Sequence, residues 1–241
     1  MKYNLFCLVL LVGCQKHDTP KVRKSKWPTT FQTAKAIAER EIYKDQRVTF
    51  YCGCAYSKEG LIDPVSCGYK PRQSKTRGQR MEWEHVIPAA QFGSHRPCWK
   101  GCDGLKGRMC CRKTDATFRK IEADLMNLVP SVGELNGDRS SRPYGGVEGE
   151  PRRYGACDFE VDFNKDVAEP RESIRGDIAR IYKDMMQRHP GQIIVTPEQQ
   201  QLFDQWDQQD PPSAEEGARV NKIRALMKGV RNEYCTNAKP R

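Results

Sequence analysis

The chain has 241 residues, with 41 Lys and Arg against 31 Asp and Glu, and a formal net charge of +10. Hydrophobic residues make up 37% and charged residues 30%, with both signs interspersed, which excludes a wholly disordered chain; the length suffices for one large domain or two small ones with a proper core. The positive surplus suits a polyanionic partner (nucleic acid, anionic lipid or acidic polysaccharide), but equally a basic soluble protein with none.

The N-terminus carries the first signal. Met1-Lys2-Tyr3-Asn4 precedes an apolar run from Leu5 to Val12, the pattern of an export signal over residues 1–13. That run is too short to cross a bilayer as a helix. Leu11-Val12-Gly13-Cys14 has the form of a bacterial lipobox, in which Cys14 is lipidated and heads the mature chain; Gln15 after it favours the outer membrane. The other reading is an ordinary cleaved signal with an incidental cysteine. Residues 14–28 are polar and basic and form a tether. Export places the chain where disulfides persist. Beyond Cys7 and Cys14 nine cysteines remain, an odd number. Cys98, Cys102, Cys110 and Cys111 could instead hold zinc, although their spacing departs from paired C-x-x-C motifs. The sequence does not supply the pairing.

Apolar spacing at Ile37, Ala38 and Ile42 predicts a helix over Thr33–Lys44, and the β-formers of Arg47–Tyr51 predict a strand. Cys52–Gly78 reads as loops and short strands. Gly93–Lys113 reads as a Cys-rich basic loop. Phe118, Ile121 and Leu125 mark a helix over Asp115–Leu125. Ser131-Val132-Gly133-Glu134 has the form of a capping box, opening a short helix through Asn136 that Gly137 weakens. Arg142–Pro151 reads as loop. The C-terminal third is helical: Pro170 suits a first helical residue ahead of Ile174, Ile178, Ile181, Tyr182 and Met185. Two further capping boxes, at Thr196–Gln199 and Ser213–Glu216, lead into Leu202, Phe203 and Trp206, and into Val220, Ile223 and Met227.

Of the four histidines, only His85 lies between polar chemistry and apolar support (Trp83, Val86, Ile87). Glu84 beside it could hold a hard cation while a neutral His85 takes a proton from water. The amide oxygen of Asn136 is a candidate second ligand, though Asn-Gly is also a common turn. Arg108, Arg112, Arg139 and Arg142 are candidates for phosphate binding, since a guanidinium can bond two phosphate oxygens at once.

Two long motifs resemble the bacterial endonuclease I family: Glu82-Trp83-Glu84-His85-Val86-Ile87-Pro88-Ala89 with Gln91-Phe92-Gly93, and the run from Asp124 to Arg139. Tyr51-Cys52-Gly53-Cys54, Ser66-Cys67-Gly68-Tyr69, Cys98-Trp99 and Gln201-Leu202-Phe203 with Trp206 extend the match across residues 30 to 235. The resemblance implies an α+β, mainly helical single domain (29–236, with a tail at 237–241), built around a ββα-metal finger and stapled by disulfides. It implies one divalent ion, Mg²⁺ ahead of Ca²⁺ or Mn²⁺, on Glu84 and Asn136. His85 would activate water and Arg108 would contact the scissile phosphate. Glu122 would be a site glutamate, and Asn127 would support the finger. Double- and single-stranded DNA, and RNA as a further substrate, would be cut by a monomeric protein with little sequence preference. The protein would be periplasmic, secreted or anchored in the outer membrane. Met126 stands where the family often has His, the family's cysteine soon after Trp206 is missing, and Cys102 and one of Cys110 and Cys111 are extra. Two competing readings are a lipid-anchored DNA-binding or DNA-uptake protein without cleavage, and a disulfide-rich secreted module that binds a protein or acidic glycan.

Overall fold

A computed structural model describes residues 27–149 and 151–236, the last eight without side chains. The expected signal over 1–13, the lipidation site Cys14, most of the tether and the 237–241 tail lie outside the described residues. Trp27 already packs on the folded body, with the Arg188 guanidinium 5.2 Å from its ring.

Thr30 opens the first helix. Its hydroxyl accepts from the Thr33 amide and the Thr33 hydroxyl accepts from the Thr30 amide, a reciprocal cap that satisfies two otherwise orphaned donors. Helix α1 (Phe31–Ile37) therefore starts two residues before the predicted boundary, and it runs on as a π-helical turn over Ala38–Ile42. The strand predicted over Arg47–Tyr51 is reduced to a single bridge, Val48 to Ala55. The chain instead turns at Tyr51–Cys52, where the Gly53 amide donates to Thr49 at φ +70°, a conformation glycine adopts without strain.

A short helix α2 (Lys75–Gly78) leads into strand β1 (Met81–His85). The predicted loop over Gly93–Lys113 instead contains two helices. After α3 (Ala89–Gly93) come α4 (Pro97–Lys100) and α5 (Gly107–Thr114). Cys110 and Cys111 are the buried residues of α5. They act as its apolar face, a pattern that a search for aliphatic spacing passes over. Helix α6 (Ala116–Glu122) is capped by Asp115, which accepts from the Phe118 amide at 2.8 Å. A 3₁₀ turn over Leu125–Asn127 leads into β2 (Leu128–Val132), and helix α7 (Gly133–Arg139) follows without a loop. Strands β1 and β2 pair antiparallel, with Met81 opposite Val132 and His85 opposite Leu128. The β1–β2–α7 unit is the expected ββα finger.

The capping box expected at Ser131 does not form. Ser131 is paired with Glu82 inside β2, the helix starts two residues on at Gly133, and the Ser131 hydroxyl donates to the Val132 carbonyl at 3.2 Å. Glu134 turns elsewhere and accepts from the Tyr69 hydroxyl at 2.6 Å and from the amides of Arg72, Gln73 and Ser74. A Cβ at Gly137 would run into the guanidinium of Arg77, so a larger residue there would displace the flexible end of that arginine.

Pro170 is the last residue of a strand and not the first of a helix. It closes the hairpin of β3 (Phe159–Asp162) and β4 (Val167–Pro170), opposite Phe159, a pairing the edge of a two-stranded sheet permits. Helix α8 (Arg175–Arg188) starts five residues on, after a 3₁₀ turn, and is followed by α9 (Pro197–Gln209) and α10 (Ala214–Thr236). Of the capping boxes predicted for α9 and α10 the N-cap half forms, with the Gln199 and Glu216 amides donating to the Thr196 and Ser213 hydroxyls. Tyr182 of α8 packs on Phe203 of α9, 4.3 Å between ring centroids. One hydrophobic cluster joins α1, the finger and the C-terminal helices. The architecture is α+β, mainly helical and disulfide-stapled.

Among the described residues the disulfides are Cys52–Cys157, Cys54–Cys67, Cys98–Cys111 and Cys102–Cys110. Zinc is thereby excluded at Cys98, Cys102, Cys110 and Cys111. The two cysteines that looked surplus sit in a pair of their own, Cys102–Cys110, nested inside Cys98–Cys111. The first bond spans 105 residues and the nested one spans 8. By chain entropy they contribute about 4–5 and about 2–3 kcal/mol respectively.

Candidate active site

Alternation along β1 sends Glu82 and Glu84 toward one side and His85 toward the other. Helix α7 meets the first side with Asn136 and Arg139, one turn apart. The Asn136 amide nitrogen donates to Glu82 Oε2 at 2.9 Å, and Arg139 Nη1 donates to Glu84 Oε1 at 3.1 Å. Glu82 is itself held by Arg77 and Arg80. With its nitrogen so engaged, Asn136 keeps its carbonyl oxygen free.

Glu84 is buried. Both side-chain hydrogen bonds it accepts fall on Oε1, from Arg139 and from the Tyr51 hydroxyl at 2.8 Å, so Oε2 bears neither. Burial pushes its carboxyl pKa up, against the pull of Arg139 and Tyr51. Tyr51 is in turn bonded to Tyr144, 2.7 Å between hydroxyls. Neither tyrosine carries a sequence signature of this role, since each reads as an ordinary core aromatic.

His85 Nε2 lies 2.8 Å from the backbone carbonyl of Glu122. A carbonyl only accepts, so Nε2 carries the proton and Nδ1 presents its lone pair. Arg108 Nη2 approaches that lone pair at 3.3 Å. Burial, with the Arg108 charge behind it, pushes the imidazole pKa down to about 3, so the ring is neutral at physiological pH.

Glu122 is buried and its carboxylate is saturated. It accepts from Arg108 Nε at 2.5 Å and from Arg112 Nε at 2.7 Å. It orients the two arginines and, through its carbonyl, the imidazole. Asn127 is fully buried, accepting from the Ile87 amide and donating to the Ile87 carbonyl. These bonds tie the end of β1 to the start of β2.

The candidate phosphate-binding arginines separate. Arg108 lines the pocket and Arg112 stands behind it, partly exposed. Arg139 is completely buried and has no route to a phosphate. It belongs to the scaffold, donating also to the carbonyls of His85 and Val86 at 2.9 and 2.6 Å. Arg142 bonds the Asp138 carbonyl and Asp166 and lies over the Phe163 ring, and it does not line the pocket.

The result is one open pocket of about 250 Å³ lined by Trp83, Glu84, His85, Pro88, Ala89, Ala90, Arg108, Asn136, Ser140 and Ser141. Its oxygen donors are a carboxylate and an amide carbonyl, the hard ligands that Mg²⁺, Ca²⁺ and Mn²⁺ take. Among the described residues no group of three or more His, Cys, Asp and Glu gathers as a metal site. An ion here would depend on these two side chains, with other positions filled by water and substrate oxygens. The donor set fits a hard divalent cation held in that way.

The Endonuclease I family model matches residues 24–239. Endonuclease-1 of Buchnera aphidicola subsp. Acyrthosiphon pisum (strain APS) is 37% identical over 236 residues, 97% of this chain and 91% of the relative. An extracellular deoxyribonuclease of Aeromonas hydrophila is 41% identical over 203 residues, 82% of this chain and 86% of the relative. A periplasmic deoxyribonuclease of the same species is 39% identical over 202 residues, 81% and 82% of the two chains. The family model spans all of the described residues, and the chain belongs to the endonuclease I family.

Proposed function

We propose that the protein is an exported, divalent-metal-dependent endonuclease that hydrolyses phosphodiester bonds of DNA with little sequence preference. The observation that carries this is the convergence of Glu84, His85, Arg108 and Asn136, from three elements far apart in sequence, on one solvent-open pocket. The relatives named extracellular and periplasmic deoxyribonucleases and the four disulfides support export to an oxidising compartment.

His85 Nδ1 is the base. It removes a proton from water as the water oxygen bonds to phosphorus, and the ester oxygen departs and takes a proton from solvent. Arg108 donates to the non-bridging oxygens, where charge accumulates. The arriving phosphate also opposes the charge of Arg108, which holds the His85 pKa down. Glu84 and Asn136 would hold the ion, which when bound supplies Lewis-acid stabilisation of the phosphate. The pocket offers side chains suited to phosphate and sugar and little to read a base edge, which is the basis for weak sequence preference.

The test is digestion of supercoiled plasmid, linear duplex, single-stranded DNA and RNA in Mg²⁺ by freshly purified, oxidised protein. Plasmid should be nicked and then fragmented without discrete preferred bands, and more slowly as salt rises. Bound but intact plasmid would instead support a DNA-binding protein without cleavage, and absence of DNA affinity at low salt would support the glycan- or protein-binding module.

A further inference from the structure

One aromatic ring touches most of the cationic machinery. Phe31, the first residue of α1, is half-buried, and its ring lies 4.9 Å from the His85 ring between centroids, tilted by 42°. The Arg108 and Arg112 guanidinium carbons are 5.0 and 5.1 Å from the same ring centroid, and Lys35 Nζ is 5.0 Å away. Three cations around one benzene ring is more than packing requires. The negative potential of the ring face attracts each of them. It also compensates in part for two guanidiniums that share the single carboxylate of Glu122.

We propose that Phe31 is a positioning residue for the nuclease reaction, holding the Arg108 guanidinium over the pocket and in register with the His85 imidazole. The inference rests on the site reading given above. Arg108 has to serve two acceptors in turn. With no substrate it donates to His85 Nδ1, the lone pair that the attacking water needs. With substrate it turns to the phosphate. A hydrogen bond is directional and breaks on such a shift, whereas a cation over a ring face tolerates lateral movement. Together with the Glu122 bond to Arg108 Nε, the ring therefore holds Arg108 in place while the bonding of its Nη2 changes, and it packs against the imidazole without closing the pocket side of the ring. Phe31 is also secured for the task, since the Thr30–Thr33 cap fixes the helical turn that presents it.

The experiment separates ring electrostatics from ring shape. Phe31 is replaced by mono-, di- and trifluorinated phenylalanines, which retain the shape and progressively remove the face potential. Phe31→Leu and Phe31→Trp are made in parallel. Plasmid-nicking kcat, KM and Tm are measured for each. The expected result is a stepwise fall in kcat with fluorination, reaching roughly five- to tenfold, with Tm unchanged and KM changed less than kcat. Phe31→Trp should retain most of the rate and Phe31→Leu should lose it. In an Arg108→Ala background the fluorination series should flatten. A flat series in the native background, while Arg108→Ala still loses activity, overturns this inference and leaves the site reading standing. Full activity in Arg108→Ala overturns both.

Discussion

Replacing His85 by Ala or Asn is expected to lower kcat for plasmid cleavage by about 10²- to 10⁴-fold, the usual worth of a positioned general base, while DNA affinity stays near that of the native protein. The expectation follows from the two ring nitrogens having distinct tasks. Nε2 is committed to the Glu122 carbonyl at 2.8 Å and Nδ1 alone is left for chemistry. Asn is the sharper variant, because its side-chain amide ends near the position of Nδ1 and offers no basic lone pair there, although the bond to the Glu122 carbonyl is lost with the ring. His85 also packs against Phe31 and Phe92, so Ala leaves a cavity and Tm is recorded for each variant. Turnover within a few-fold of native by folded His85→Asn would show that another group, or hydroxide itself, activates the water.

Arg139→Ala should be among the most destabilising substitutions in the chain, at about 3–5 kcal/mol. The guanidinium is fully buried and donates to Glu84, to the His85 carbonyl and to the Val86 carbonyl, and it lies 4.4 Å from the Tyr144 ring centroid. Its removal leaves a buried carboxylate without its countercharge and takes a donor from two backbone carbonyls. Arg139→Lys keeps the charge but cannot reproduce the planar fork across three acceptors, so it should recover only part of the loss. The double variant Arg139→Ala with Glu84→Gln should cost less than the sum of its parts, because it no longer buries an unpaired charge. Urea unfolding of the five proteins (native, Arg139→Ala, Arg139→Lys, Glu84→Gln and the double variant) measures this. A phosphate-tracking arginine would behave in the opposite way: native stability, weaker DNA binding and a shallower salt dependence.

Arg139 also shows what the sequence leaves hidden. In the run Asn136-Gly137-Asp138-Arg139 an arginine bound to phosphate and one buried against Glu84 look identical, because the difference is set by which side of α7 meets β1. The pocket's central residues were legible for the contrary reason. Glu84 and His85 lie in one contiguous motif and Asn136, with Asn127 supporting it, in another, so each half of the site is legible on its own and the β1–β2 pairing joins them. Tyr51, Tyr144 and Phe31 come from other segments, and their spacing is that of core aromatics. Their role arises only where the fold brings them against Glu84 or Arg108.

Errors in element prediction have similar causes. Ser131 has the sequence of a helix cap, but strand pairing with Glu82 took precedence and Glu134 satisfied other amides. Pro170 suits a helix start, but hairpin pairing with Phe159 placed it in a strand. The helix α5 was concealed because its buried face is made of disulfide-bonded cysteines. In each case a contact from elsewhere in the chain overrode a sound local preference.

The central claim is that Glu84 and Asn136 present a hard cation beside His85 and that DNA cleavage depends on it. The most direct measurement is the rate of plasmid relaxation in Mg²⁺, before and after excess chelator and again after Mg²⁺ is restored, for the native protein and for Glu84→Gln. The account predicts cleavage that chelator stops and Mg²⁺ restores, with Glu84→Gln nearly inactive in all three conditions. Cleavage that continues in chelator at the native rate, or native activity in Glu84→Gln, would contradict it.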